Sequence, residues 1–314
     1  KARHLGLLAN ATSHAISAAD WFGPQLLFGP NHPYGRLQNS GSIAAVSRAD
    51  IQRFHRSRMR PDHATLAVVG DIALPQLKAQ LESLLASWQA GGDALGAAPA
   101  SVARTTKSTL WLIDAPGASQ SSVQLLLPAP AHAREREPAL QLLTRLMGQS
   151  MNRNLRTDKN WSYGVVSTLS NQVGARSWRL QSLVQTDKTA PALVEMRREL
   201  DRLASDPSVV AESLLGIQQV TVRELPDSWE THQEVAAALG QIALHRLPDD
   251  YLLSYSRRIE SVTPLEVSRL AAELLANRGE TWIVAGDLAK IRAELDALGI
   301  GEAKVIEAAR GPSL

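Results

Sequence analysis

A chain without cysteine must draw its chemistry from oxygen and nitrogen side chains, and its eight histidines come first. They are His4, His14, His32, His55, His63, His132, His232 and His245. None stands in H-x-x-E-H, H-E-x-x-H or H-x-H, spacings that bring two imidazoles to one zinc ion. His132 and Glu135 have helical spacing but lack a second histidine, so they read as an exposed, charged helix start. His55 and His63 flank Pro61 across a helix end and read as surface residues. The chain is therefore expected to hold no zinc by itself. The lack of cysteine removes thiol nucleophiles, disulfides and thiolate metal sites. A Walker A loop, a G-x-G-x-x-G after a strand and a G-x-S-x-G elbow are absent as well.

The 314 residues are enough for a sizeable core and for one to three domains. Lys plus Arg is 33 against 31 Asp plus Glu, a net charge of +2. That balance, with the basic residues scattered along helices, argues against nucleic acid as a partner. No run reaches the roughly 18 apolar residues of a membrane span. The opening 19 residues are basic at the start and Ala-rich at the end, like a signal peptide. Asn10, Thr12, Ser13 and His14 make them too polar for one, and they read as a helix.

Periodicity predicts the elements that must position any site. Residues 3–28 read as helix and 32–36 as a turn-rich connection. Helix 47–58, strand 64–69 and helix 75–88 follow. Residues 89–106, rich in Gly and Ala without apolar period, read as a linker. Beyond it come strands at 109–114 and 121–127, then a helix with Leu140, Leu143, Leu146 and Met147 on one stripe. Strands at 163–170 and 176–185 precede helices at 191–204, 208–224, 229–245 and 264–277. Strand 281–285 and helix 288–298 close the series. Hairpin-joined strands grouped with several helices predict an α+β fold, with antiparallel-rich sheets covered by helices.

Residues 43–71 repeat as 259–287 without a gap, at an offset of 216. Ile43, Val46, Arg53, Thr65, Val68, Gly70 and Asp71 recur as Ile259, Val262, Arg269, Thr281, Val284, Gly286 and Asp287. In each copy Ser or Thr with an acid three residues later forms a capping box before an amphipathic helix. A period this long marks a duplicated domain rather than a solenoid. The predicted helix 229–245 aligns with the chain's first helix at the same offset. The second copy, 107–314, has a long run before the repeat that the first copy, 1–88, lacks. The first copy is thus expected to be a C-terminal half, short by about 110 residues, close to the length of a small domain. A first residue of Lys rather than Met fits that expectation.

The segments HPYGR, SIAAVSRADIQRFHRSRMRPDHATLAVVGD and its continuation to Trp88 resemble the first-domain tail of the pitrilysin/insulinase-type metallopeptidases, the inverzincins. PGASQSSVQLLLPAP, NRNLRTDKNWSYGVVS and VQTDKTAPALVEMRREL resemble that family's second domain, in the right order. The resemblance runs from about Arg3 to Ile306. It implies a mitochondrial-processing-peptidase-like duplicated fold with a truncated first copy.

It also implies chemistry. The family's H-x-x-E-H and glutamate zinc ligand lie in the part of the first domain that the repeat arithmetic finds missing. Zinc is then expected in the full-length protein or a partner chain, not here. The second domain of active members contributes an arginine and, seven residues later, a tyrosine, which match Arg156 and Tyr163. Such donors would bind the negative charge that develops on a peptide carbonyl during hydrolysis. The resemblance implies a zinc endopeptidase acting on peptides or unfolded segments, with a homodimer or zinc-bearing subunit as possible partner. The alternatives are a non-catalytic partner subunit and a purely structural relative. Bacterial relatives are often exported, which favours the periplasm over the cytoplasm. Gly148-Gln149-Ser150 passes directly to Met151-Asn152, about four residues shorter than the family pattern, which puts the loop expected before Arg156 in question.

Overall fold

A computed structural model describes residues 1–91, 96, 98–102, 105–301 and 303–307. Helices α1 (Ala2–Ser13), α2 (Ala15–Phe28), α3 (Ser40–Ala45), α4 (Arg48–Arg58) and α5 (Leu74–Leu85) precede the first strand. Of the expected linker 89–106, residues 92–95, 97 and 103–104 lie outside the described residues. Strands β1 (Thr109–Asp114) and β2 (Gln120–Ala129) lead into α6 (Glu137–Met151). Next come β3 (Ser162–Leu169), β4 (Arg176–Gln185), α7 (Thr189–Ser205) and α8 (Pro207–Arg223). The chain ends through α9 (His232–His245), α10 (Tyr251–Ser261), α11 (Pro264–Leu275), β5 (Thr281–Gly286), α12 (Leu288–Ala297) and β6 (Ala303–Val305).

The six strands form one sheet in the order β3-β4-β2-β5-β1-β6. Three of its pairings are antiparallel, and β1 runs parallel to β5 and β6. This is the expected α+β, antiparallel-rich architecture. Successive strand residues point to opposite faces, so a strand covered on both faces reads as a continuous apolar run. In β1, Leu110 and Leu112 enter one core with Val284 of β5 and residues of α6, α7, α8 and α11. Trp111 and Ile113 enter a second core, on the opposite face, with Ile283 and Ala285 of β5. Ala18, Ala19 and Phe22 of α2 close that second core. An element before the linker therefore seals the sheet built after it. Asp20 of α2 accepts a 2.7 Å hydrogen bond from buried Gln124 of β2 and pairs with Arg179 of β4.

The predicted helix 3–28 is broken at His14, whose backbone is extended. The break parts exposed α1 from docked α2. The predicted strand 64–69 is not a strand. Its second-copy counterpart β5 is hydrogen-bonded between β1 and β2, whereas no described strand lies beside residues 64–69. The capping boxes form in both copies, Ser47 with Asp50 and Thr263 with Glu266.

Candidate functional site

Helix α6 does not end at the short Gly148–Asn152 stretch. It runs on into a π-helix, Asn152–Asp158, anchored by buried Met151 and Leu155. No loop precedes Arg156, so the loop expected there is replaced by continuous helix. The wider turn is closed by the Lys159 N–H donating to Asn154 C=O at 3.1 Å. Asn160, in the left-handed region at φ 56°, then turns the chain into β3, the sheet's edge strand.

The Asn152 side chain joins helix and strand beside a second bridge, from the Ser167 hydroxyl to Thr144 C=O at 2.9 Å. The Asn152 amide nitrogen donates to Gly148 C=O at 2.9 Å and to Val165 C=O at 2.8 Å. Its amide oxygen accepts the Val165 N–H at 2.8 Å. A Cβ on Gly148 would stand 3.0 Å from that of Ser167, so glycine lets α6 run close along the edge strand. On the other side of the π-helix, Asn154 donates to Glu195 and Glu199 of α7, both at 2.8 Å. Ser150 also donates to Glu199.

Against this locked frame, Arg156 and Tyr163 are free. Arg156 is exposed on the π-helix and Tyr163 is 84% exposed on β3. Among the described residues neither has a hydrogen-bond or ion-pair partner. A guanidinium and a phenol offered to solvent from adjoining rigid elements can donate to a carbonyl oxygen brought from outside.

The histidines are placed differently from expectation. His132 is half-buried and faces Glu137, at 3.8 Å, rather than Glu135. Its ring stacks on that of His245, 4.4 Å between centroids. Glu137 is buried and forms a bidentate pair with fully buried Arg176, at 2.8 and 2.9 Å. Burial pushes the Glu137 carboxyl up, but the Arg176 hydrogen bonds and charge outweigh it and hold it below its ordinary value. Burial lowers His132, aided by His245, and lowers His245, aided by Arg176, with Glu137 opposing both. His132, Glu137 and His245 line a cavity of about 310 Å³ with Thr221, Gln241 and Tyr251. His63 sits beside Asp62 and Arg60, and His55 is exposed, as surface placement required.

The fit to zinc is poor. Two imidazoles stacked face to face direct their lone pairs side by side rather than toward a common point, and tetrahedral zinc needs converging ligands. Among the described residues no group of three or more His, Asp or Glu is placed to hold a metal ion. No described helix is long and apolar enough to cross a membrane.

The sequence reading missed the Glu137–Arg176 pair, the stacked histidines and the Asn152 bridge. Only the first had a signal. Arg176 shares the strand phase of Trp178, Leu180 and Val184, all buried, so a charge there had to be paired.

Residues 45–215 match the family model described as the peptidase M16 inactive domain. An uncharacterized zinc protease of Mycobacterium bovis is 25% identical over 263 residues, which is 80% of this chain. One from Mycobacterium tuberculosis matches equally. The chain spans only 58% of the length of each. Among solved structures, a peptidase M16 inactive domain from Pseudomonas fluorescens superposes with a TM-score of 0.76 at 19% identity. That alignment covers 90% of this chain and 68% of the other. The first half of a periplasmic protease from Escherichia coli gives 0.70 at 14% identity, covering 99% and 71%.

Proposed function

The chain belongs to the peptidase M16 family, matching its inactive domain over residues 45–215, and on that premise we propose that it forms the metal-free wall of a zinc-dependent endopeptidase. Arg156 and Tyr163 are its working residues. The zinc sits in another segment of the polypeptide or in a partner chain, and the substrate is a peptide or an unfolded protein segment. The observation that carries this reading is the exposed, unpartnered pair on elements that are otherwise fully tied down.

When water adds to a peptide carbonyl, negative charge appears on the oxygen. The Tyr163 hydroxyl and the Arg156 guanidinium donate to that oxygen and to the adjoining backbone. A donor engaged mainly in the transition state lowers the barrier without tightening ground-state binding. In the complete zinc-bearing peptidase, Tyr163→Phe should lower kcat and kcat/KM together by about 100-fold, with KM nearly fixed. Arg156→Ala should also raise KM, because a guanidinium holds substrate backbone before reaction as well. Thermal melting run alongside must show both variants folded. Full activity in folded Tyr163→Phe removes the tyrosine from the mechanism.

The open face of residues 40–88 favours a second part of the proposal. Helices α4 and α5 bury no residue, while Phe54, Met59, Leu66 and Leu84 stand exposed. A segment equivalent to residues 107–216 covers that face and completes the first copy of the duplicated fold. It comes either from the same polypeptide or from a separate zinc-bearing subunit, in which case this chain is the non-catalytic partner. Finding H-x-x-E-H in the same polypeptide decides for the enzyme, and finding it only in a co-purifying chain decides for the partner. The Escherichia coli neighbour is described as periplasmic, and we extend that setting to this chain. Recovery of the protein with the cytosolic fraction would overturn it.

A further inference from the structure

We infer that Asn152 is a positioning residue for the proposed reaction, its side-chain amide fixing Arg156 and Tyr163 in one frame. The inference rests on the catalytic reading of that pair. An edge strand leaves alternate N–H and C=O groups unpaired, and these normally meet water or another strand. At Val165 they meet the Asn152 carboxamide, which returns both bonds as a neighbouring peptide would, at 2.8 Å each. The second amide hydrogen goes back to Gly148 C=O on α6, at 2.9 Å. Both donor hydrogens and the acceptor oxygen are therefore in use. Val165 follows Tyr163 by two residues across a register shift that leaves Val165 buried and Tyr163 exposed, while Asn152 precedes Arg156 by four, about one turn of the helix.

The surroundings are built for this contact. A Cβ on Gly164 would stand 3.1 Å from the Asn152 amide oxygen, so glycine keeps the approach clear. The β3–β4 register shifts between Ser162 and Val165, at the tyrosine, and the Ser182 hydroxyl holds Gly164 C=O at 2.9 Å. Tyr163 thus sits in an irregular stretch that strand pairing alone does not fix, two residues from the Asn152 clamp. Asn152 touches no substrate. It acts by holding helix and strand at one separation, and donors displaced by about 1 Å can cost roughly 100-fold in rate.

The test uses Asn152→Ala and Asn152→Asp, the second isosteric and keeping the acceptor for the Val165 N–H. In the complete zinc-bearing peptidase both should lower kcat/KM by about 10-fold or more, chiefly through kcat. Added to an Arg156→Ala/Tyr163→Phe background, Asn152→Ala should cause no further loss, because nothing remains to be positioned. Amide exchange gives a readout independent of zinc. In Asn152→Ala the Val165 amide should exchange about 10-fold faster or more, with Leu180 and Val184 unchanged. A full further loss in the combined variant would show a merely structural role and overturn the inference. Unaltered activity in folded Asn152 variants, or unaltered Val165 exchange, would overturn it too. If Tyr163→Phe and Arg156→Ala are themselves harmless, the catalytic reading falls and takes this inference with it. If they are damaging and the Asn152 variants are not, this inference alone falls.

Discussion

Residues 43–71 and 259–287 share a sequence pattern at a fixed offset, yet most of their matched apolar residues differ in burial. Leu270 is 5% exposed in α11, whereas Phe54, its counterpart in α4, is 63% exposed. Trp282 is fully buried in β5, and Leu66 at the matching place is 62% exposed. Local grammar is the same in both copies: a capped amphipathic helix, a turn, an extended apolar stretch. What differs is the company. Strand β5 has β1 and β2 on its edges and helices on both faces, while residues 64–69 have no described strand beside them. Helix formation needs only neighbours in sequence, but a strand needs a partner supplied by distant chain.

The largest test of this contrast is a matched pair of core truncations. Trp282→Ala should destabilise the chain by about 3–5 kcal/mol in urea unfolding, and Leu66→Ala by less than about 0.5. If a covering segment or subunit completes the first copy, its presence should raise the Leu66→Ala cost toward that of a buried leucine, about 2–5 kcal/mol. Equal costs in the chain alone would erase the contrast. A smaller effect sharpens it from the other side, because capping is local and should work alike in both copies. Thr263→Ala should cost about 1 kcal/mol in global stability. Ser47→Ala should show instead as faster amide exchange confined to α4. The Ser47 hydroxyl and backbone N–H hold the Asp50 carboxyl down at about 2, so that cap should persist until pH falls toward this value.

The smallest effect is a pH response confined to the closed copy. His132 and His245 both lie below their ordinary value of 6.5. As pH falls through about 6.5 the unfolded chain takes up protons that the folded chain still refuses. Stability therefore declines below that pH, until the folded histidines protonate as well. The stacked rings lie near Arg176, which reinforces the effect, and Glu137, which tempers it. His245→Asn should flatten the fall in melting temperature between pH 7 and 5.5, and an unchanged slope would remove the pair as its cause.

The sequence was a good guide wherever structure depends on nearby residues. The capping boxes, the Leu140–Leu143–Met147 stripe and the doubly buried runs in β1 and β5 follow from spacing alone. Residues 64–69 read as a strand because their own pattern is that of β5, and pattern carries no information about who lies alongside. The π-helix was hidden for another reason. Its extra residue per turn is fixed by Leu155 packing and by Asn152 and Asn154 reaching elements 13 to 45 positions away. His132 and Glu135 read as an exposed helix start, but the helix begins only at Glu137 and His132 lies half-buried before it, against an acid two residues farther on. Of the candidate site, the sequence offered Arg156 and Tyr163 only through family likeness. The asparagine that ties their elements together has no periodic or charged signature.

Helix α2 has a practical consequence for anyone who would divide this protein. A cut placed in the Gly/Ala-rich stretch looks safe on paper, since it falls between two copies of a repeat. It would nevertheless strip Ala18, Ala19 and Phe22 from the sheet and leave Trp111, Ile113, Leu126 and Ile283 facing water. A sheet face of that kind is sticky, and residues 107–314 expressed alone should self-associate or precipitate. The seam in the gene and the seam in the molecule are different places, and only the second can be cut.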